Sequence, residues 1–171
     1  IEKFVTYVNK NNISLSTLIE PSIYETNQFF INKMPTLMQY ASFYGSIQII
    51  QYLKYNEFPL TPSMWLYAIH SNNPELIHYL EENVEKLNRY SCEIIYKESL
   101  KCHHNAITQY IEDNYLTQTN EMKNYSKCIF NSLNFNFLPD DISIDSIISN
   151  PRKENGFNLF YLSFTLSTIT I

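Results

Sequence analysis

Residues 36–53 read TLMQYASFYGSIQIIQYL, and two further stretches can be set beneath them: SMWLYAIHSNNPELIHYL at 63–80 and IIYKESLKCHHNAITQYI at 94–111. Each has 18 residues, and the three align without a gap. The sixth place is small in all of them: Ala41, Ala68 and Ser99. Four residues on stand Gly45, Asn72 and His103, and four further on stand Ile49, Leu76 and Ile107. The last place holds Leu53, Leu80 and Ile111, each preceded by a tyrosine: Tyr52, Tyr79 and Tyr110. The small-residue column steps 27 residues from Ala41 to Ala68 and 31 from Ala68 to Ser99. A recurrence of that length is the signature of a repeat architecture.

Each copy predicts two short helices joined by a tight turn. The second helix carries an apolar stripe at i, i+1 and i+4: Ile49, Ile50 and Leu53, then Leu76, Ile77 and Leu80. The small residue of the first helix marks where a neighbouring helix approaches closely. The turn column Gly45, Asn72, His103 answers one backbone demand. A helix commonly ends on a left-handed residue, where Gly has no Cβ to clash and Asn and His are the tolerated substitutes. Thr61 and Pro62 mark a helix start before the second copy, and Ser91 offers a cap before the third.

Composition supports a packed helical chain. The 171 residues are 44% hydrophobic and 15% aromatic, with 14 Tyr and 11 Phe, enough for a sizeable core. The net charge of −5 and the lack of a Lys/Arg run speak against nucleic acid and against an anionic membrane surface as partners. Only two glycines occur, and no phosphate-cradling loop, H-E-x-x-H, C-x-x-C or G-x-S-x-G motif is present. Cys92, Cys102 and Cys128 make an odd count, and the amphipathic start IEKFVTYVNK lacks a signal-peptide core. Free thiols in a reducing cytoplasm follow as the expectation, which leaves the sequons at Asn12 and Asn124 without meaning. The longest near-apolar run, LFYLSFTLSTITI, is too short and too rich in Ser and Thr to span a bilayer.

These residues resemble the ankyrin repeat, whose pattern T-P-L-H-x-A-A-x-x-G-H-x-x-V-V-x-L-L extends over about 33 residues. Thr36, Met38, Ala41, Gly45, Ile49, Ile50, Tyr52 and Leu53 match it in the first copy. Ser63, Trp65, Ala68, Asn72, Leu76, Ile77 and Leu80 take those places in the second. Ser99, His103, His104, Ile107 and Ile111 do so in the third. Leu37 and Gln39 depart from the Pro and His of the opening box, and the 27-residue step leaves only a clipped β-finger. The wording is similar to the divergent ankyrin-type domain of large protist paralogue families, where it usually precedes more regular repeats.

The expected architecture is therefore an all-α, ankyrin-like helix–turn–helix solenoid with clipped β-fingers. Residues 1–33 are expected to form a helical cap or degenerate repeat, with helices over 2–9 and 15–32 broken near Pro21. Residues 34–115 are expected to hold three divergent repeats, and 116–150 a degenerate helix pair over 121–133 and 141–149. Residues 151–171 read as the start of a truncated repeat, or by their Thr/Ile alternation as a strand, with further repeats C-terminal in a longer chain.

The triplet Cys102-His103-His104 is the one conspicuous set of reactive side chains. A thiol with imidazoles suits nucleophilic or metal chemistry. Adjacent helical residues do not face one another, however, and Cys92, Cys128, His70 and His78 complete no zinc spacing. The repeat register instead makes His103 the helix-ending residue. The Tyr column reads as core packing between stacked units with hydroxyls reaching the edge, Trp65 as core, and Glu81-Glu82 and Asp140-Asp141 as exposed helix ends or N-terminal turns. The resemblance implies a non-catalytic scaffold, without cofactor or metal, that binds a protein partner. It places the contacts on the finger loops and on the two residues before each turn: Phe43 and Tyr44, His70 and Ser71, Lys101 and Cys102. Phe43 and Tyr44 are the expected hot spot, because aromatic anchors dominate interface energies.

Overall fold

The computed structural model describes residues 1–116 and 125–138. The chain divides into two compact units, Ile1–Gln118 and Thr119–Ile171. Among the described residues regular structure is helical apart from one isolated antiparallel bridge, Leu18 to Thr36. None of these helices is long and apolar enough to cross a membrane.

Unit one opens with α1 (Glu2–Lys10) and an irregular stretch to residue 36. Three helix pairs follow. The first is α2 (Leu37–Phe43) and α3 (Ile47–Tyr55). The second is α4 (Met64–Ala68), extended by a 3-10 turn Ile69–Ser71, and α5 (Pro74–Asn83). The third is α6 (Arg89–Cys102) and α7 (Asn105–Ile111), which runs into a π-helical turn Glu112–Leu116. First helices lie on first helices, α2 against α4 and α4 against α6.

The three corners share one backbone solution. Gly45, Asn72 and His103 have φ of 64°, 49° and 56°, all left-handed. At Gly45 the bare Cα is also a steric need, since a Cβ there would stand 3.3 Å from Asn73 Nδ2 and from Ser71 Cβ. The corners bind one another as well. Asn73 Nδ2 donates to the Gly45 carbonyl at 3.4 Å, and His104 Nδ1 donates to the Ile69 carbonyl at 2.8 Å. Beneath them Ala41, Ala68 and Ser99 are buried, and the second helices bury Ile50, Leu53, Leu76, Ile77, Leu80, Ile107 and Ile111. His103 is exposed. His103→Gly is therefore expected to cost no stability and to add up to about 1 kcal/mol, read by urea denaturation.

Helix starts differ from the sequence reading in two of three pairs. Thr36 forms a capping box with Gln39: Thr36 Oγ1 accepts from the Gln39 N–H at 3.2 Å, and Gln39 Oε1 from the Thr36 N–H at 3.0 Å. Gln39 thus earns the place where the repeat pattern has His, and its Nε2 reaches Ser63 of the next pair at 3.0 Å. Thr61 caps nothing with its hydroxyl, which bonds to Ser63 at 2.8 Å; α4 begins only at Met64. The proline at a first helical position is Pro74, behind the Asn73 cap of α5. The cap of α6 is Asn88, whose side chain accepts from the Ser91 N–H at 2.8 Å, so Ser91 is inside the helix.

The helix expected over 15–32 is absent. Ser22 Oγ accepts from the Tyr24 N–H, Glu25 Oε1 from the Asn27 N–H, and Asn27 Oδ1 from the Phe29 N–H. Such local side-chain acceptors compete with the helical ladder, and Pro21 removes a donor besides. The Tyr column packs between the pairs with partly buried rings at Tyr52 and Tyr79 and a more exposed one at Tyr110. Tyr52 meets Phe4 of α1 edge-on at 6.1 Å, Tyr79 lies under the Lys54 ammonium, and Tyr110 donates its hydroxyl to Glu81 at 2.8 Å. They line the edge of the pairs. Trp65 is core, 2% exposed and edge-on to Tyr115 at 5.8 Å.

In unit two, α8 (Ser126–Ser132) ends at Leu133 with φ 56°, followed by a 3-10 turn Phe135–Phe137. A branched aliphatic is an uncommon left-handed residue, so this corner has no sequence signature. The helix expected over 141–149, the first residues of that over 121–133, Asn124, Asp140-Asp141 and the tail 151–171 lie outside the described residues.

Candidate binding site

Equivalent positions of the three pairs come together on one face. Phe43, His70 and Lys101 each stand two residues before the left-handed corner, with Tyr44, Ser71 and Cys102 beside them. The Phe43 and His70 rings stack with centroids 4.8 Å apart. His70 Nε2 meets Glu98 Oε1 of α6 at 3.1 Å, and the other Glu98 oxygen accepts from Lys101 Nζ at 2.9 Å. Cys102 Sγ lies 3.4 Å from His70 Nδ1. The side chains of α2, of the turn after α4 and of α6 thus form a continuous ladder.

The irregular leading stretch covers that ladder. Phe29 stacks on Phe43 at 5.5 Å and touches the His70 ring at 4.0 Å, and Phe30 sits 4.4 Å from Phe43 and 5.3 Å from Tyr40. The Lys33 ammonium lies 3.0 Å over the Phe29 ring. Phe43 is in consequence only 8% exposed and belongs to a small aromatic core with Phe30 and Tyr67. That corrects the expectation of Phe43 as a partner-facing hot spot: in the chain as folded its ring is already occupied. Tyr44 remains 56% exposed, and Lys101 is exposed at the other end of the ladder. Ser71 is turned to local work, donating to the Ala68 carbonyl at 2.7 Å and accepting from the Asn73 N–H at 3.2 Å.

The triplet Cys102-His103-His104 is dispersed. His103 holds the corner, the His104 ring donates to the Ile69 carbonyl, and Cys102 turns to His70. The imidazole beside the thiol therefore comes from 32 residues earlier, and the carboxylate behind it from Glu98. Ligand atoms of His70, Glu98 and Cys102 lie within 4.8 Å of one another. The order thiol, imidazole, carboxylate invites comparison with a nucleophilic triad, but the geometry opposes proton transfer. Sγ is 3.4 Å from Nδ1 and 3.9 Å from Nε2. A sulfur on one nitrogen's in-plane axis would be much farther from the other, so Sγ sits off the axis of either nitrogen. Burial and then the Glu98 charge push the Cys102 thiol up to about 12, whereas a nucleophile or metal ligand must be a thiolate. To hold a cation, Cys102 would have to shed its proton against burial and the Glu98 charge, beside the Lys101 ammonium on the other Glu98 oxygen.

Electrostatics make Glu98 the keystone. The His70 hydrogen bond, opposed by burial and helped by Lys101, holds its carboxyl at about 2 against an ordinary 4.5. A depressed carboxylate stabilises the fold above its unfolded pKa and loses that contribution as pH falls through the folded one. The contribution of Glu98 is thus full above about pH 4.5 and gone below about pH 2. Allowing for its partial contact with solvent, it amounts to about 1–2 kcal/mol. Urea denaturation at pH 5 and pH 2.5 is expected to show the native protein losing most of that amount beyond the loss of Glu98→Gln. Equal acid losses would contradict it.

Glu98, Phe29, Phe30 and Lys33 are the site residues that sequence reasoning does not single out. The spacing of Glu98 to Lys101, i to i+3, is a weak signal, and the Phe29-Phe30 pair in otherwise polar ETNQFFINK is a stronger one. Comparison with known proteins returned no matching family model, no matching curated protein and no matching solved structure. What fold and site define is a class of architecture: helix pairs with left-handed corners whose inner residues line up as one contact face.

Proposed function

We propose that this chain is a non-catalytic protein-interaction scaffold of ankyrin-repeat type, its pairs stacked as a short solenoid with clipped fingers. The observation that carries the reading is the ladder itself. Register-equivalent residues of three pairs meet on one face, and that face accepts an extended, aromatic chain segment. Tyr44, Lys101 and Cys102 are the residues assigned to a partner, while His70, like Phe43, is already covered by Phe29. The net charge of −5 and the lack of a basic run favour a protein over nucleic acid or an anionic membrane. An odd count of three cysteines suits a reducing compartment, so we place the scaffold in the cytoplasm.

Affinity capture from the native cell tests this with variants of equal melting temperature. Proteins captured by the native chain are expected to be lost with Tyr44→Ala and Lys101→Glu, and kept with Tyr55→Ala at the exposed end of α3. A captured set indifferent to Tyr44 and Lys101 overturns the reading and favours a structural cap of a longer array. The rival of a thiol-dependent enzyme or metal binder now centres on Cys102, His70 and Glu98 rather than on His103 and His104. Rapid, stoichiometric alkylation of Cys102 by iodoacetamide at pH 7 would favour it; a sluggish thiol accords with the scaffold.

A further inference from the structure

Residues 22–33 fold over the ladder without joining it through the backbone. Their described main-chain bonds close on the segment itself: Glu25 N–H to Ser22, Phe30 N–H to Asn27, Lys33 N–H to Phe30. What fastens the segment is three side chains. Phe29 lies against Phe43 and His70, Phe30 is buried beside Phe43 and Tyr40, and the Lys33 ammonium lies over the Phe29 ring with Tyr67 beyond. Between and before the anchors the chain faces solvent, with Ile23 91% and Tyr24 84% exposed and Ile31 exposed as well. A few anchors in pockets, with intervening residues outward and a backbone unpaired to its host, is how an extended peptide docks.

We propose that residues 27–33 are a self-ligand of this face, and that the face takes partner segments of the same chemistry: two adjacent aromatic side chains followed, three residues after the second, by a lysine or arginine. This rests on the interaction reading above and names the partner class. Phe43, Tyr40 and the His70 ring receive the aromatic pair, and the cation seats on the first ring of that pair, as Lys33 does on Phe29, facing Tyr67. The tethered copy acts as a competitor at an effective concentration in the millimolar range, which lowers the apparent affinity of any incoming segment. Such a segment binds by displacing 27–33, a stretch whose few buried contacts make it a local unit able to open while the helix pairs remain folded.

The probe is a fluorescein-labelled peptide of residues 25–34, ETNQFFINKM, titrated by anisotropy into the full chain and into Phe29→Ala. The variant is expected to bind at least about tenfold more tightly, because its own segment competes poorly. A peptide with both phenylalanines changed to alanine and the lysine to glutamate is expected not to bind. Hydrogen exchange on the native chain supplies the measurement that needs no variant: amides of 27–33 are expected to exchange before those of α4 and α6, and faster still with the peptide present. Equal protection of 27–33 and α4 would make the segment part of the cooperative core and overturn the proposal. So would a folded Phe29→Ala that ignores the peptide, or a dimer of the unliganded chain formed by exchange of the segment between copies. If that variant ignores the peptide yet still captures partners released by Tyr44→Ala, the self-ligand fails and the scaffold reading stands. Tight peptide binding without any ladder-dependent partner in the cell would sink the scaffold reading alone.

Discussion

Trp65→Ala is expected to be the most damaging single substitution in unit one. The indole is 2% exposed, on the helix that α2 and α6 both meet, and packs edge-on against Tyr115. Removing it deletes the largest side chain of the core and leaves a cavity that three helices must close. The loss is put at about 3–5 kcal/mol, as for other buried large-to-small changes. A domain of this size holds roughly 5–15 kcal/mol in all, so the variant should melt some 10–15 °C lower or not fold at 37 °C. Calorimetry decides it; a drop of only a degree or two would mean that Trp65 is a surface residue.

Phe43→Ala is the second. Its ring touches Phe29, Phe30, Tyr44 and His70, with two of these contacts stacked. Truncation is expected to cost about 3 kcal/mol and to loosen the leading segment with it. The effect should couple to Phe29: the double variant Phe29→Ala/Phe43→Ala is expected to lose about 0.5–1.5 kcal/mol less than the single losses added together, since the stacked pair can be removed only once. Strict additivity in urea denaturation would show that the two rings do not meet in solution.

How far these features can be read from the chain depends on the range of the interaction behind them. The corners are legible because a left-handed residue is a local demand that selects Gly45, Asn72 and His103, and the apolar stripes because helical periodicity is local too. Leu133 holds the same conformation and escapes notice, because leucine is no answer to that demand. Residues 15–32 mislead: LSTLIEPSIYETNQFFIN has helical spacing of apolar residues, but Ser22, Glu25 and Asn27 satisfy backbone donors locally and win. Adjacency misleads at Cys102-His103-His104, where the three side chains diverge and the partner of the thiol is His70, a residue of the preceding pair.

The site is the least legible part. Register predicts that residues 43, 70 and 101 share a face, but nothing local announces that Phe29 and Phe30 will lie on it. That contact joins a turn-rich segment to three helices and depends on tertiary geometry alone. Tyr44 and Phe43 are neighbours in sequence with opposite fates, one 56% and the other 8% exposed, because the covering segment reaches only one of them. Glu98 gathers its importance in the same way, from His70 on one side and Lys101 on the other.

Nuclear Overhauser contacts among the aromatic rings test the central claim most directly, which is that the inner residues of the helix pairs form one face with the leading segment seated upon it. The ring protons of Phe29 are expected to show contacts to the rings of both Phe43 and His70, with Phe30 showing contacts to Phe43 and Tyr40. A Phe29 ring without these contacts, in a protein whose helices are intact, would contradict the account.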